Sequence, residues 1–178
     1  NTALKTLRYR GAADWNGQDA VSVAVSDLGH SGAGGAQVTT AVVAVTVTAV
    51  NDAPTAVVPV NVMMDEDKST VLVGMRVADV DVNYKVDDVL VRVTLEASHG
   101  NVAVNISSYW VKVVAGSAAG GRHLTLLGTL ANINDSIQRV AYKPDAHWSG
   151  LDFVVLHVDD QGNHGVGGHR TGRAVLEV

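Results

Sequence analysis

Cysteine is absent from the 178 residues, which excludes a disulfide framework and any thiolate-bound metal. Aromatic residues amount to 4%, and valine, alanine, glycine and threonine fill the space instead, a composition that favours strands and turns over helices. Positive charge is also short. Thirteen lysines and arginines face eighteen acids, for a formal charge of −5. That balance argues against nucleic acid, which needs a basic face to displace counterions, and leaves room for cations. No apolar run reaches membrane-span length, because the longest, VTTAVVAVTVTAV at 38–50, is interrupted by threonines. The chain opens at Asn1 in mid-pattern and without a leader, as a stretch of a longer protein would.

What is present is an internal repeat. RYRGAADWNGQDAVSVAVSDLGHSGAGGA at 8–36 lies over AYKPDAHWSGLDFVVLHVDDQGNHGVGGH at 141–169 without a gap. Tyr9 falls on Tyr142, Trp15 on Trp148, Asp19 on Asp152 and Asp27 on Asp160, always 133 residues apart. The register holds from Asn1/Asn134 to Val45/Val178, with 16 identities in those 45 positions. A fixed spacing of this kind marks tandem units.

Apolar residues make up 47% of the chain, enough for a real core. Several segments alternate with the two-residue period of half-buried strands: AVSVAVSD, AVVAVTVTAV, TVLVGMRVADVDV, VLVRVTLEAS, NVAVNIS, YWVKVVA, HLTLLGTL and FVVLHVDD. Glycine-rich turns separate them. One short helix is expected at NINDSIQRV, with Ile133, Ile137 and Val140 on one face and Asn132 or Asn134 as its cap; NTALKTL is its counterpart. The fold expected is an all-β Greek-key sandwich of roughly seven to nine strands, one short helix per repeat.

The order Tyr-x5-Trp-x-Gly-x-Asp, Asp-x-Gly, glycine-rich turn, Val/Thr strand and NDAP, followed by MMDEDKSTVLVG and VADVD, resembles cadherin-like, Ig-like tandem repeats. Such repeats are found in giant bacterial surface adhesins and in large extracellular proteins of algae and other protists. The resemblance implies residues 1–50 as the C-terminal part of one repeat, 51–54 as the NDAP linker and 55–178 as a second repeat. It implies a stalk at the cell surface, outside the cell, with calcium stiffening the junctions between neighbouring repeats of the same chain.

Strand parity in such a sandwich predicts where the acids meet. A first strand at about 54–64 runs down to Asp65, Glu66 and Asp67; the next returns up to Asp79 and Asp81; a later strand starts at Asp152 at the bottom. One junction then gathers Asp14, Asp19, Asn51, Asp52, Asp79 and Asp81, and a second gathers Glu66, Asp67 and Asp152. Asp14 is the soft member, since its repeat partner is His147; Asp145 stands near by as a substitute. Calcium takes about six to eight hard oxygen ligands, which suits crowded carboxylates better than magnesium does.

Other motifs carry less. The glycine-rich turns precede strands and lack a Lys-Ser/Thr, so they are hairpin connections and not phosphate loops. His164 and His169 flank one glycine-rich turn and His30 sits in its counterpart, but no third ligand for zinc recurs between the repeats. No nucleophile elbow or HExxH motif supports an enzyme. Asn105 and Asn134 head glycosylation sequons, usable in a eukaryotic secreted protein. Tyr109 and Trp110, an aromatic pair without a repeat counterpart, mark the alternative of an adhesive surface for a glycan or a partner protein, and assembly with other chains in a fibre is a further option.

Overall fold

The structure is a computed structural model that describes residues 3–30, 32–82, 89–162 and 164–178. The chain is all-β, 47% strand and 7% helix. It parts into two compact units, Asn1–Ala49 and Val50–Val178. No helix among the described residues is long and apolar enough to cross a membrane.

The first unit is a short 3-10 turn (Ala3–Thr6) followed by a hairpin of β1 (Gly17–Ser26) and β2 (Val38–Val47). Ten antiparallel pairs run from Gly17↔Val47 to Ser26↔Val38. The alternation places Val21, Val23 and Val25 on one face with Val43, which is opposite Val21, and Val45, which is opposite Asp19. The turn is closed by Asp27, whose Oδ1 accepts from the backbone N–H of Gly29 (2.9 Å) and Gln37 (2.8 Å). Those two bonds hold its carboxyl below the usual carboxylate range. Gly29 sits at φ +70°, where a Cβ would lie 3.1 Å from the nitrogen of Ala36, so glycine is required.

The described residues of the second unit form ten strands: β3 (Thr55–Val57), β4 (Thr70–Val73), β5 (Arg76–Ala78), β6 (Leu90–Ala97), β7 (Gly100–Val104), β8 (Lys112–Gly116), β9 (His123–Thr129), β10 (Arg139–Pro144), β11 (Phe153–Asp159) and β12 (Thr171–Glu177). A five-stranded sheet has the order β12-β11-β6-β9-β8, a three-stranded sheet the order β4-β10-β7, and β3 pairs with β5. Each of these ladders is antiparallel. The alternate residues Val91, Val93 and Leu95 of β6, and Val154, Leu156 and Val158 of β11, share one core with Leu72, Val102 and Val140 of the smaller sheet.

The helix α1 (Leu130–Ile137) buries Ile133 and Ile137. Its N-cap is Thr129, not Asn132 or Asn134, and Val140 belongs to β10. Asn134 is drawn elsewhere: its Oδ1 accepts from Val77 N (2.8 Å) and its Nδ2 donates to Val77 O (2.9 Å), closing the end of β5. The expected strand over 70–78 is divided between two sheets at Gly74, φ +96°, and the expected strand at 54–64 keeps only Thr55–Val57, ahead of Pro59.

The two units repeat the same backbone. The pairing Phe153↔Glu177 of β11 and β12 lies 133 residues on from Ala20↔Ala44. Left-handed φ recurs at Asp14 and His147 (57° and 60°) and at Leu28 and Gln161 (56° and 61°). Burial separates them: Val158 and Val140 are 1% and 0% exposed, whereas their counterparts Val25 and Leu7 are 59% and 61% exposed. Leu156→Ala should therefore cost about 2–5 kcal/mol of stability in the second unit, by denaturant titration. Val25→Ala, on an open face, should change stability by less than about 0.5 kcal/mol in the same measurement.

Candidate functional site

Polar side chains gather where the second unit begins. Val50 forms a parallel bridge with Val166, and Asn51 N donates to Val166 O at 3.0 Å. Asn51 is 2% exposed. Its Nδ2 donates to Asp160 Oδ2 (2.5 Å) and to Gly168 O (2.7 Å), latching the linker onto the β11–β12 turn. Asp160 in turn accepts from Gly162 N (2.7 Å) and Arg170 N (2.9 Å) through Oδ1, the geometry of Asp27 in the first unit. Asp81 Oδ2 accepts from Asp52 N (2.6 Å), and Asp79 Oδ1 accepts from Asp81 N (2.9 Å).

Two oxygens in this group are buried without a hydrogen bond: Asn51 Oδ1 and Asp79 Oδ2. Burial pushes the Asp79 carboxyl above its ordinary value; the hydrogen bond from Asp81 N opposes this, the charges of Asp81 and Asp160 add to it, and His164 opposes it more weakly. Both features suit a hard cation, which supplies the missing partner and offsets the repulsion. Among the described residues, no three histidines and carboxylates already stand in a metal-holding arrangement. Asn51, Asp52, Asp79 and Asp81 of the predicted first junction are thus neighbours, joined by Asp160, which sequence reasoning did not assign. Its signal was the repeated Asp-x-Gly.

The other two residues of that set lie in the first unit. Asp14 is an exposed turn residue whose left-handed backbone is shared by His147, so its position reflects conformation. Asp19 accepts from the Tyr9 hydroxyl (2.6 Å) and from Ala20 N (2.7 Å), which hold its carboxyl below the usual range.

The far end of β11 is built differently. Asp152 is 1% exposed, and its oxygens accept from the Tyr142 hydroxyl, His99 N (2.9 Å) and Phe153 N (2.6 Å). Burial, then the hydrogen bond to Asp152, raise the Tyr142 hydroxyl well above its ordinary value. A cavity of about 130 Å³ is lined by Asp65, Glu66, Tyr142, Trp148, Asp152 and Val178 among others. Asp67 turns aside, accepting from His147 N at 2.9 Å, with His147 Nδ1 3.4 Å from its other oxygen. Asp145 is paired with Arg122. Trp148 stacks on His99 with ring centroids 3.7 Å apart and planes 4° from parallel. Of the sequons, Asn105 is exposed, whereas Asn134 has its amide nitrogen on Val77 and Ser136 is buried.

Because the folded state favours neutral Asp79, its contribution to stability is present below the ordinary carboxylate range and is lost as pH rises through the raised value. In chelator, Asp79→Asn should flatten this part of the pH–stability curve and raise the melting temperature at neutral pH. Tyr142→Phe, which strips a donor from a buried carboxylate, should destabilise the second unit by about 1–3 kcal/mol in denaturant titration. No protein-family model, curated protein or solved structure matches this chain.

Proposed function

We propose that the chain is a non-enzymatic, load-carrying segment of a long extracellular or cell-surface stalk, built of tandem cadherin-like, Ig-like Greek-key sandwiches whose junctions bind calcium. The observation that carries the proposal is the recurrence, in both units, of one 45-residue block with the same strand register and the same Tyr–Asp hydrogen bond. A unit repeated in tandem and joined by a short proline-containing linker is a spacer. The facing of β4-β10-β7 and β12-β11-β6-β9-β8 around one core, with the consecutive strands β6 and β7, β7 and β8, β9 and β10, and β10 and β11 divided between the two sheets, supports the Greek-key reading.

Calcium is supported by the linker end of the second unit, where Asn51 Oδ1 and Asp79 Oδ2 lack partners amid the carboxylates of Asp81 and Asp160. An ion there would tie the linker residues to the strand ends of the second unit. Asp152 and Asp19, with their oxygens already taken, serve the chain's own packing in this scheme.

One observation favours a second reading, an adhesive surface. Tyr109 and Trp110 are 94% and 70% exposed, edge to face at 5.8 Å, on the loop between β7 and β8. Ser108 holds that loop, accepting from Trp110 N (3.2 Å) and donating to Asn132 Oδ1 (2.8 Å). Exposed aromatics of this kind are frequent anchors for glycans and proteins.

The calcium test is the melting temperature of the 178-residue protein in calcium and in chelator. Calcium at about 100 times its dissociation constant should stabilise the second unit by about 2.7 kcal/mol, and Asp79→Asn should remove most of that gain. Equal melting in both solutions would refute the calcium site and leave the spacer role standing. Glycan-array binding lost in Tyr109→Ala/Trp110→Ala, with unchanged melting, would establish the adhesive reading instead.

A further inference from the structure

Tension applied to the second unit has a route that leaves most of the fold unloaded. The chain enters this unit at Val50, and Val178 follows the far end of β12, which itself follows the β11–β12 turn. Before β3 begins, Asn51 is already bonded to both limbs of that turn. Its Nδ2 reaches Asp160 on one limb and Gly168 O on the other, and its backbone N–H reaches Val166 O. Asp160 and Arg170 close the base of the turn, through Asp160 N to Arg170 O (3.2 Å) and Arg170 N to Asp160 Oδ1 (2.9 Å). A pull on Val50 therefore reaches β12 through these bonds, without passing along residues 52–159. The direction of the pull decides how the bonds are loaded. Val50 and Val166 form a parallel bridge. Tension between Val50 and Val178 draws on the first segment from its N-terminal side and on the second, through β12, from its C-terminal side. Parallel segments pulled in that way slide along each other, so their bonds are stretched together and do not open one by one. Asn51 is buried, which keeps water from competing for them. The next hold along the chain is β3, with three pairs to β5: Thr55↔Ala78, Ala56↔Val77 and Val57↔Arg76.

We infer that the Asn51 latch is a tension bypass: it passes load from the linker directly into β12, and the body of the sandwich is strained only after the latch has opened. Asparagine suits the task, because a neutral amide offers two donors from one short side chain, one for each limb of the turn. An aspartate there would set a second carboxylate against Asp160. The inference rests on the reading of the chain as a load-carrying spacer and adds where the load runs. It needs no calcium.

The test compares two directions of pulling on single molecules of the 178-residue protein, at one constant force and in chelator. The protein has no cysteine, so handles can be placed by substitution. One handle is a cysteine added after Val178. The other is Thr48→Cys, just ahead of the latch, or Lys68→Cys, beyond β3; both positions are exposed. Only the pair with Thr48→Cys spans the latch. In that direction Asn51→Ala should speed unfolding of the second unit by about tenfold or more, and from Lys68→Cys by less than about threefold, as buried hydrogen bonds that bear load in one direction alone require. Asn51→Ser, which keeps one donor, decides the matter by the same comparison if the alanine variant does not fold. An increase from Thr48→Cys no larger than that from Lys68→Cys, or no increase in either direction, would overturn the inference, since Asn51 would then serve stability alone. Such a failure leaves the spacer reading standing, because that rests on the tandem repeat. Loss of the spacer reading would in turn leave the measured rates unchanged.

Discussion

A buried carboxylate must be satisfied by the chain or by an ion, and the second unit is organised around one that the chain satisfies. Asp152 takes hydrogen bonds from the Tyr142 hydroxyl, from the backbone of His99 and from Phe153, while its own backbone exchanges two bonds with Val178. Four segments meet there: β10, the bend between β6 and β7, the start of β11 and the end of β12. Gly100 belongs to the same constraint, for a Cβ at that position would fall 2.5 Å from the Tyr142 ring. Removing any donor leaves charge in a place that water does not reach.

The opposite end of β11 is left incomplete. Asn51 spends both amide hydrogens on Asp160 and Gly168, and its carbonyl oxygen remains buried without a hydrogen bond, as does Oδ2 of Asp79. One end of the unit is therefore closed by protein donors, while at the other two buried oxygens have no hydrogen-bond partner. This asymmetry separates packing aspartates from those that suit a cation, although all of them lie at strand ends and read alike as acids.

Much of the fold was legible because its periodicities are strong. The alternation in β6, β10 and β11 is matched by their burial, and the repeat spacing carries directly into strand register. Glycines at the hairpin turns were legible as punctuation, and their positive φ supplies the reason. Side-chain substitutes for backbone were not legible. Thr129 takes the cap that the asparagines were expected to provide, and Asn134 acts as a surrogate strand partner for Val77. The break at Gly74 was also hidden, since β4 and β5 read as one alternating run until their partners, β10 and β3, pull them into different sheets.

The sequence by itself determined the strand alternation, the 133-residue repeat and the acidic character of the strand ends, because each is a local or periodic property of the chain. Tertiary structure alone decided which acids are spent. Asp19 and Asp152 are held by tyrosines ten residues away, while Asp160 meets an asparagine 109 residues away. It alone also decided which valines are covered. Val25 and Val158 are the same residue in the same register, yet one is open and the other sealed, because coverage comes from strands that lie elsewhere in the chain.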